Sequence, residues 1–96
     1  MPKGYWIAHV KVSNPEAYPD YVDTAKPAFE EYGAKFLVRG GAHECVEGET
    51  GERHVVIEFE SMEKALACYN SEQYQKAVLV RQSASTGTIT IVEGVD

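Results

Sequence analysis

Four residues of this chain have both the type and the setting for chemistry: His9, Arg39, Glu58 and Arg81. His9 stands mid-way along GYWIAHVKV (residues 4–12), a run of large apolar and β-branched residues with no turn former before Ser13. Glu58 lies in RHVVIEFE (53–60), a second such run. A carboxylate beside an imidazole fixes its tautomer and raises its pKa, a common element of acid–base sites. The alternative is a buried polar pair that satisfies itself. Arg39 ends KFLVR just before Gly40-Gly41, and Arg81 follows Tyr74 and Val78 at helical spacing. A guanidinium beside a cavity is a natural ligand for carboxylate or phosphate. Against this stand a strand-edge salt bridge for Arg39, with Glu58 or Glu60, and for Arg81 a packed stem whose head reaches solvent.

These residues need elements to hold them. YWIAHVKV alternates, Trp6, Ala8, Val10 and Val12 on one face and Tyr5, Ile7, His9 and Lys11 on the other. In SNPEAY, Asn14 suits an N-cap and Pro15 the first helical position. Tyr18, Tyr21, Val22, Ala25, Phe29 and Tyr32 keep helical spacing up to Gly33, with Pro27 expected to kink or divide the helix. AKFLVRGGAHECVEG reads as a second strand, bent or bulged at Gly40-Gly41. EGETGE is a turn and RHVVIEFE a third strand. Ser61 can cap a helix through Met62, Ala65, Leu66 and Tyr69, and NSEQY restarts a helical segment carrying Arg81. TGTITIVEG closes as a fourth strand.

The order β-α-β-β-α-β predicts one α+β domain over residues 1–96, the ferredoxin-like split βαβ unit. It is a four-stranded antiparallel sheet with helices on one face, strands one and three central. One face collects the better apolar set, including Val38. The other, with Tyr5, Ile7, His9, Leu37, Val56, Glu58 and Val92, is mixed, and too apolar to stay wet in a two-layer domain. A homodimer through this open face is the simplest cover, and it would enclose a semi-polar cavity containing His9. With the two central strands aligned parallel, His9 falls beside Glu58 and Tyr5 beside His54. The same alignment separates His9 from His54 by roughly 13 Å along the strands, too far to share an ion.

Composition narrows the classes. The chain is 44% hydrophobic and 25% charged, ordinary for a globular protein. Net charge is −6 with no basic run, which argues against nucleic acid and anionic membranes as partners. No apolar stretch could span a bilayer, and Met1-Pro2-Lys3 leads into the first strand without a signal-peptide core, so a cytoplasmic location is expected. Cys45 and Cys68 form no CxxC and are expected as free thiols. There is no GxGxxG, P-loop, GxSxG or HxH motif, and no cofactor or metal is expected.

GYWIAHVKVSNPEAYPDY, GAKFLVRGG, VVIEFESMEKALACYNSEQYQ and TGTITIVEG together resemble, over nearly the whole chain, the bacterial proteins grouped as domain of unknown function family 1330. The resemblance implies a ferredoxin-like domain of the dimeric α+β barrel superfamily. That superfamily includes cofactor-free monooxygenases, muconolactone-isomerase-like proteins and haem enzymes. Arg39 in RGG, Glu58 in IEF and Arg81 match recurring polar positions of the family, which has no settled activity. The absence of a recognisable axial-histidine motif argues against the haem branch. Two readings follow: a small-molecule binder or enzyme with a pocket between sheet and helices, taking a small, possibly acidic, organic molecule, or a non-catalytic dimeric module with a filled interface and no ligand.

Overall fold

The computed structural model describes residues 2–95. The elements are β1 (Gly4–Val12), α1 (Tyr18–Glu31), β2 (Lys35–Arg39), β3 (Arg53–Phe59), α2 (Met62–Asn70), α3 (Glu72–Ala84) and β4 (Ser85–Glu93). The strands form one sheet in the order β2-β3-β1-β4, antiparallel throughout. The shortest dimension is 16 Å, two layers thick, and the core lies between the helices and one sheet face.

Local signals account for most boundaries. Ser61 accepts from the Lys64 amide at 3.1 Å and starts α2. Ser71 separates α2 from α3, donating to Cys68 O at 2.7 Å and accepting from the Tyr74 amide at 3.2 Å. Gly33 takes φ 71°, the left-handed turn that ends α1. Asn14 does cap, but it caps the turn before the helix: its side chain accepts from the Glu16 and Ala17 amides, and α1 starts at Tyr18. The expected break at Pro27 does not occur. Pro27 lies on the exposed side of α1, while Ala25, Ala28 and Phe29 on the other side are buried in the core and hold the helix continuous.

Trp6 organises that core. It is 2% exposed, donates Nε1–H to Ala65 O at 2.9 Å, and meets Phe29, Phe59, Tyr69 and Tyr74 at centroid distances of 4.9–5.8 Å.

Three sequence-based expectations are corrected here. The central strands β1 and β3 run antiparallel, not parallel. A crossover through α1 keeps the chain direction from β1 to β2, and the hairpin into β3 then reverses it. The observed partners are therefore Tyr5 with Glu58 and His9 with His54. Secondly, β2 stops at Arg39, and residues 40–52 form a loop rather than the far half of a strand. Thirdly, the irregularity in β2 lies earlier than the glycines. Phe36 pairs with Ile57 and Val38 with Val56, leaving Leu37 as the extra residue of a bulge. One inserted residue reverses the alternation beyond it. Val38 consequently falls on the open face, and Arg39, opposite Val55, on the helix face.

Candidate functional site

The four residues singled out by sequence separate into two sets. Arg39 and Arg81 line a cavity of about 380 Å³ beneath α1, on the helix side of the sheet. His9 and Glu58 lie on the open side and do not touch each other, because the antiparallel register gives each a different partner. Glu58 accepts from the Tyr5 hydroxyl at 3.5 Å and lies 4.0 Å from the Lys3 ammonium.

The cavity lies between α1 and the sheet, with Trp6, Phe29 and Ile57 among its lining residues. Its walls are largely apolar and aromatic. Three guanidiniums break that surface: Arg39 from β2, Arg53 from β3 and Arg81 from α3. Lys26 joins them, and Asp23 and Glu30 also border the space, so basic side chains outnumber acidic ones by four to two. Arg39 stacks on the Phe36 ring at 4.3 Å, which the β2 bulge makes possible by turning both residues to the same face. Arg53 lies 5.5 Å from the Tyr18 ring, and its buried Nε has no hydrogen-bond partner. Gly40, at φ 70°, lies beside the far end of the Arg53 side chain. Among the described residues, none of the three arginines is ion-paired with a carboxylate.

Arg81 is held differently. Its Nη1 donates to the Tyr74 hydroxyl at 2.9 Å, and Tyr74 shares a 2.7 Å hydrogen bond with the Tyr21 hydroxyl. Burial, reinforced by Tyr74, holds the Tyr21 phenol far above its usual range. Burial also raises Tyr74, against the opposing pull of its bonds to Tyr21 and Arg81. For Arg81, burial works to lower the pKa, but the neighbouring phenols outweigh it and the net shift is upward. Both phenols stay protonated at neutral pH and the guanidinium stays charged. Tyr21 and Arg81, which line the cavity, offer hydrogen-bond donors and positive charge to a ligand, and no base.

Sequence reasoning missed Arg53, Tyr21 and Tyr74. Arg53 was findable, since it sits two residues before Val55 and four before Ile57 on the apolar face. The tyrosines fall at core spacing and bury as core residues do. Nothing in the pattern reveals that their hydroxyls meet.

The expected free thiols are present as such, Cys45 exposed and Cys68 buried. No helix is long and apolar enough to cross a membrane. Among the described residues no group of three or more His, Cys, Asp or Glu side chains is arranged to hold a metal ion.

A two-layer α+β domain of split βαβ order, with a cavity between its first helix and the sheet, is the ferredoxin-like class. Within that class the chain belongs to a family described as "Domain of unknown function (DUF1330)", whose model matches residues 3–95. No curated protein matches it. Among solved structures it is similar to the RPA0582 protein of unknown function from Rhodopseudomonas palustris, at TM-score 0.78 and 20% identity, covering 99% of this chain and 84% of that one. It is similar to SnoaB, a cofactor-independent oxygenase from Streptomyces nogalater, at TM-score 0.68 and 9% identity, covering 100% and 96%. It is also similar to a dimeric ferredoxin-like protein of unknown function from Bacteroides fragilis, at TM-score 0.56 and 12% identity, covering 95% of each chain. At these identities the likeness is one of fold.

Proposed function

We propose that this protein binds a small organic acid in the cavity beneath α1, its apolar body against Trp6, Phe29 and Ile57 and its carboxylate among Arg39, Arg53 and Arg81. The observation that carries this reading is the convergence of three arginines, none ion-paired among the described residues, on one apolar cavity. Arg53 and Arg81 are half-buried and Arg39 is exposed at the rim, so the set presents positive charge to the cavity, and a carboxylate ligand would supply its counter-charge. A bidentate contact to carboxylate in a partly dry pocket is worth roughly 1.5–3 kcal/mol. That is enough at short range to overcome the repulsion from a chain of net charge −6. The cavity volume suits a ligand of one or two rings. The fold shared with a cofactor-independent oxygenase is compatible with chemistry on such a ligand, and binding is the part these residues support. The cavity supports this reading over a ligand-free module, which predicts a filled interface without a pocket.

His9 and Glu58 belong to a second surface. The open face exposes Leu37 (47%), Val38 (41%) and Val92 (39%) around Ile7 and Val56. We propose that a second copy of the chain covers it, with Ile7, Val56 and Val92 at the centre of a homodimer in the cytoplasm. The dimeric state of the Bacteroides fragilis protein of this fold agrees with such an assembly.

The test of the ligand is a thermal-shift screen of aromatic and aliphatic carboxylates on wild type and on Arg39→Ala, Arg53→Ala and Arg81→Ala. Stabilising acids are expected to lose affinity in all three variants, and their uncharged amide analogues to bind none of the four proteins. Acids that keep full affinity in the three variants would refute the anion site.

A further inference from the structure

The correction of strand direction brings together two residues that a parallel alignment keeps apart. His9 and His54 face each other across β1 and β3, and their Nδ1 atoms are 2.8 Å apart. His54 O accepts from the Gly40 amide on the β2 side, and His9 O points toward Gly87 of β4. The two backbones therefore turn their polar groups away from each other. This is the non-hydrogen-bonded type of antiparallel pair, in which side chains approach most closely. Beside His9 runs a shallow groove bordered by Lys11, Glu49 and Thr88.

We propose that His9 and His54 form a two-imidazole chelate for a borderline divalent transition-metal ion such as Zn²⁺, with water completing the coordination. A 2.8 Å N···N contact requires a hydrogen on one nitrogen and a lone pair on the other. Replacing that hydrogen by an ion with N–metal bonds of about 2.0–2.1 Å in a tetrahedral shell needs the nitrogens about 3.3–3.4 Å apart. The required opening is about half an ångström, within the reach of the side-chain torsions of an exposed His9 and a half-buried His54 on the open face. The neutral imidazole is the ligand form. His43, whose ring lies 4.4 Å from that of His54, flanks the pair without being part of it.

The test is isothermal titration of Zn²⁺ into the full chain, free of any histidine tag, in a non-chelating buffer at pH 7.5. Wild type, His9→Ala, His54→Ala and His43→Ala are compared, with circular dichroism confirming that each is folded. One saturable ion per chain is expected for wild type. Loss of either ligand should weaken binding about tenfold or more, and loss of His43 by less. No saturable binding to wild type would overturn the proposal and leave a self-satisfied histidine pair. So would His9→Ala or His54→Ala binding as wild type does, or His43→Ala weakening binding as much as the other two.

Discussion

Replacing Tyr74 by Phe removes one oxygen and the two hydrogen bonds that tie it to Tyr21 and Arg81, both of which line the cavity. The hydroxyl accepts from Arg81 Nη1 at 2.9 Å and shares a 2.7 Å bond with Tyr21. A bond to a charged group is worth about 1.5–3 kcal/mol and a neutral one about 0.5–1.5. Arg81 is half-buried, and part of its guanidinium can turn to water, so the lower half of the range applies. The expected loss is about 2–3 kcal/mol, with the ring itself still filling its fully buried site. For a domain of this size that lowers Tm by about 8–24 °C. Tyr21→Phe deletes only the neutral bond and should cost about 1 kcal/mol. Urea denaturation of wild type and both variants gives the comparison, with equal slopes showing that the fold is retained. If Tyr74→Phe costs no more than Tyr21→Phe, the Tyr74 hydroxyl is not the anchor of Arg81.

Further expectations follow from the rest of the molecule. The folded-state pKa of His54 lies below its ordinary value of 6.5, chiefly through desolvation, so the unfolded chain takes up the proton more readily. Its contribution to stability is full above pH 6.5 and is lost as pH falls through the lowered folded value. Denaturation of His54→Gln between pH 8 and 5 should show a weaker decline than wild type, and an identical decline would count against the shift. Burial pushes the Cys68 thiol up to about 12, so native protein at pH 8 should react with a thiol reagent once per chain, at Cys45, and twice when unfolded. Two fast-reacting thiols in the native state would show that Cys68 is not enclosed. Val92→Lys places a charge on the open face without touching the core, and should convert a dimer to monomers in sedimentation at micromolar concentration. A wild-type monomer, or a Val92→Lys dimer, would refute the proposed assembly.

Much of the fold was legible in local chemistry. Period-two alternation marked Trp6, Ala8 and Val10 as inward, and Ser61 and Gly33 marked helix ends, because each signal is carried within a few residues. The site was less legible, because its geometry depends on how distant strands are aligned. Reading β1 and β3 as parallel put His9 beside Glu58 and kept it from His54, although a crossover followed by a hairpin requires the opposite. The bulge at Leu37 carries no local mark. It nevertheless places Arg39 at the cavity, whereas simple alternation from Leu37 places it on the open face. The hydroxyl chain from Tyr21 to Arg81 joins residues 53 and 7 positions apart, and only the packed structure shows it.

The central claim is that the three arginines beneath α1 receive a carboxylate. It is tested most directly by following the arginine Nε–H resonances and the histidine ring resonances of ¹⁵N-labelled protein while an aromatic carboxylate is added. The account predicts that Arg39, Arg53 and Arg81 shift together and saturate with a single Kd, while His9, His43 and His54 stay in place. Shifts confined to the histidines, or arginine resonances that never saturate, would contradict it.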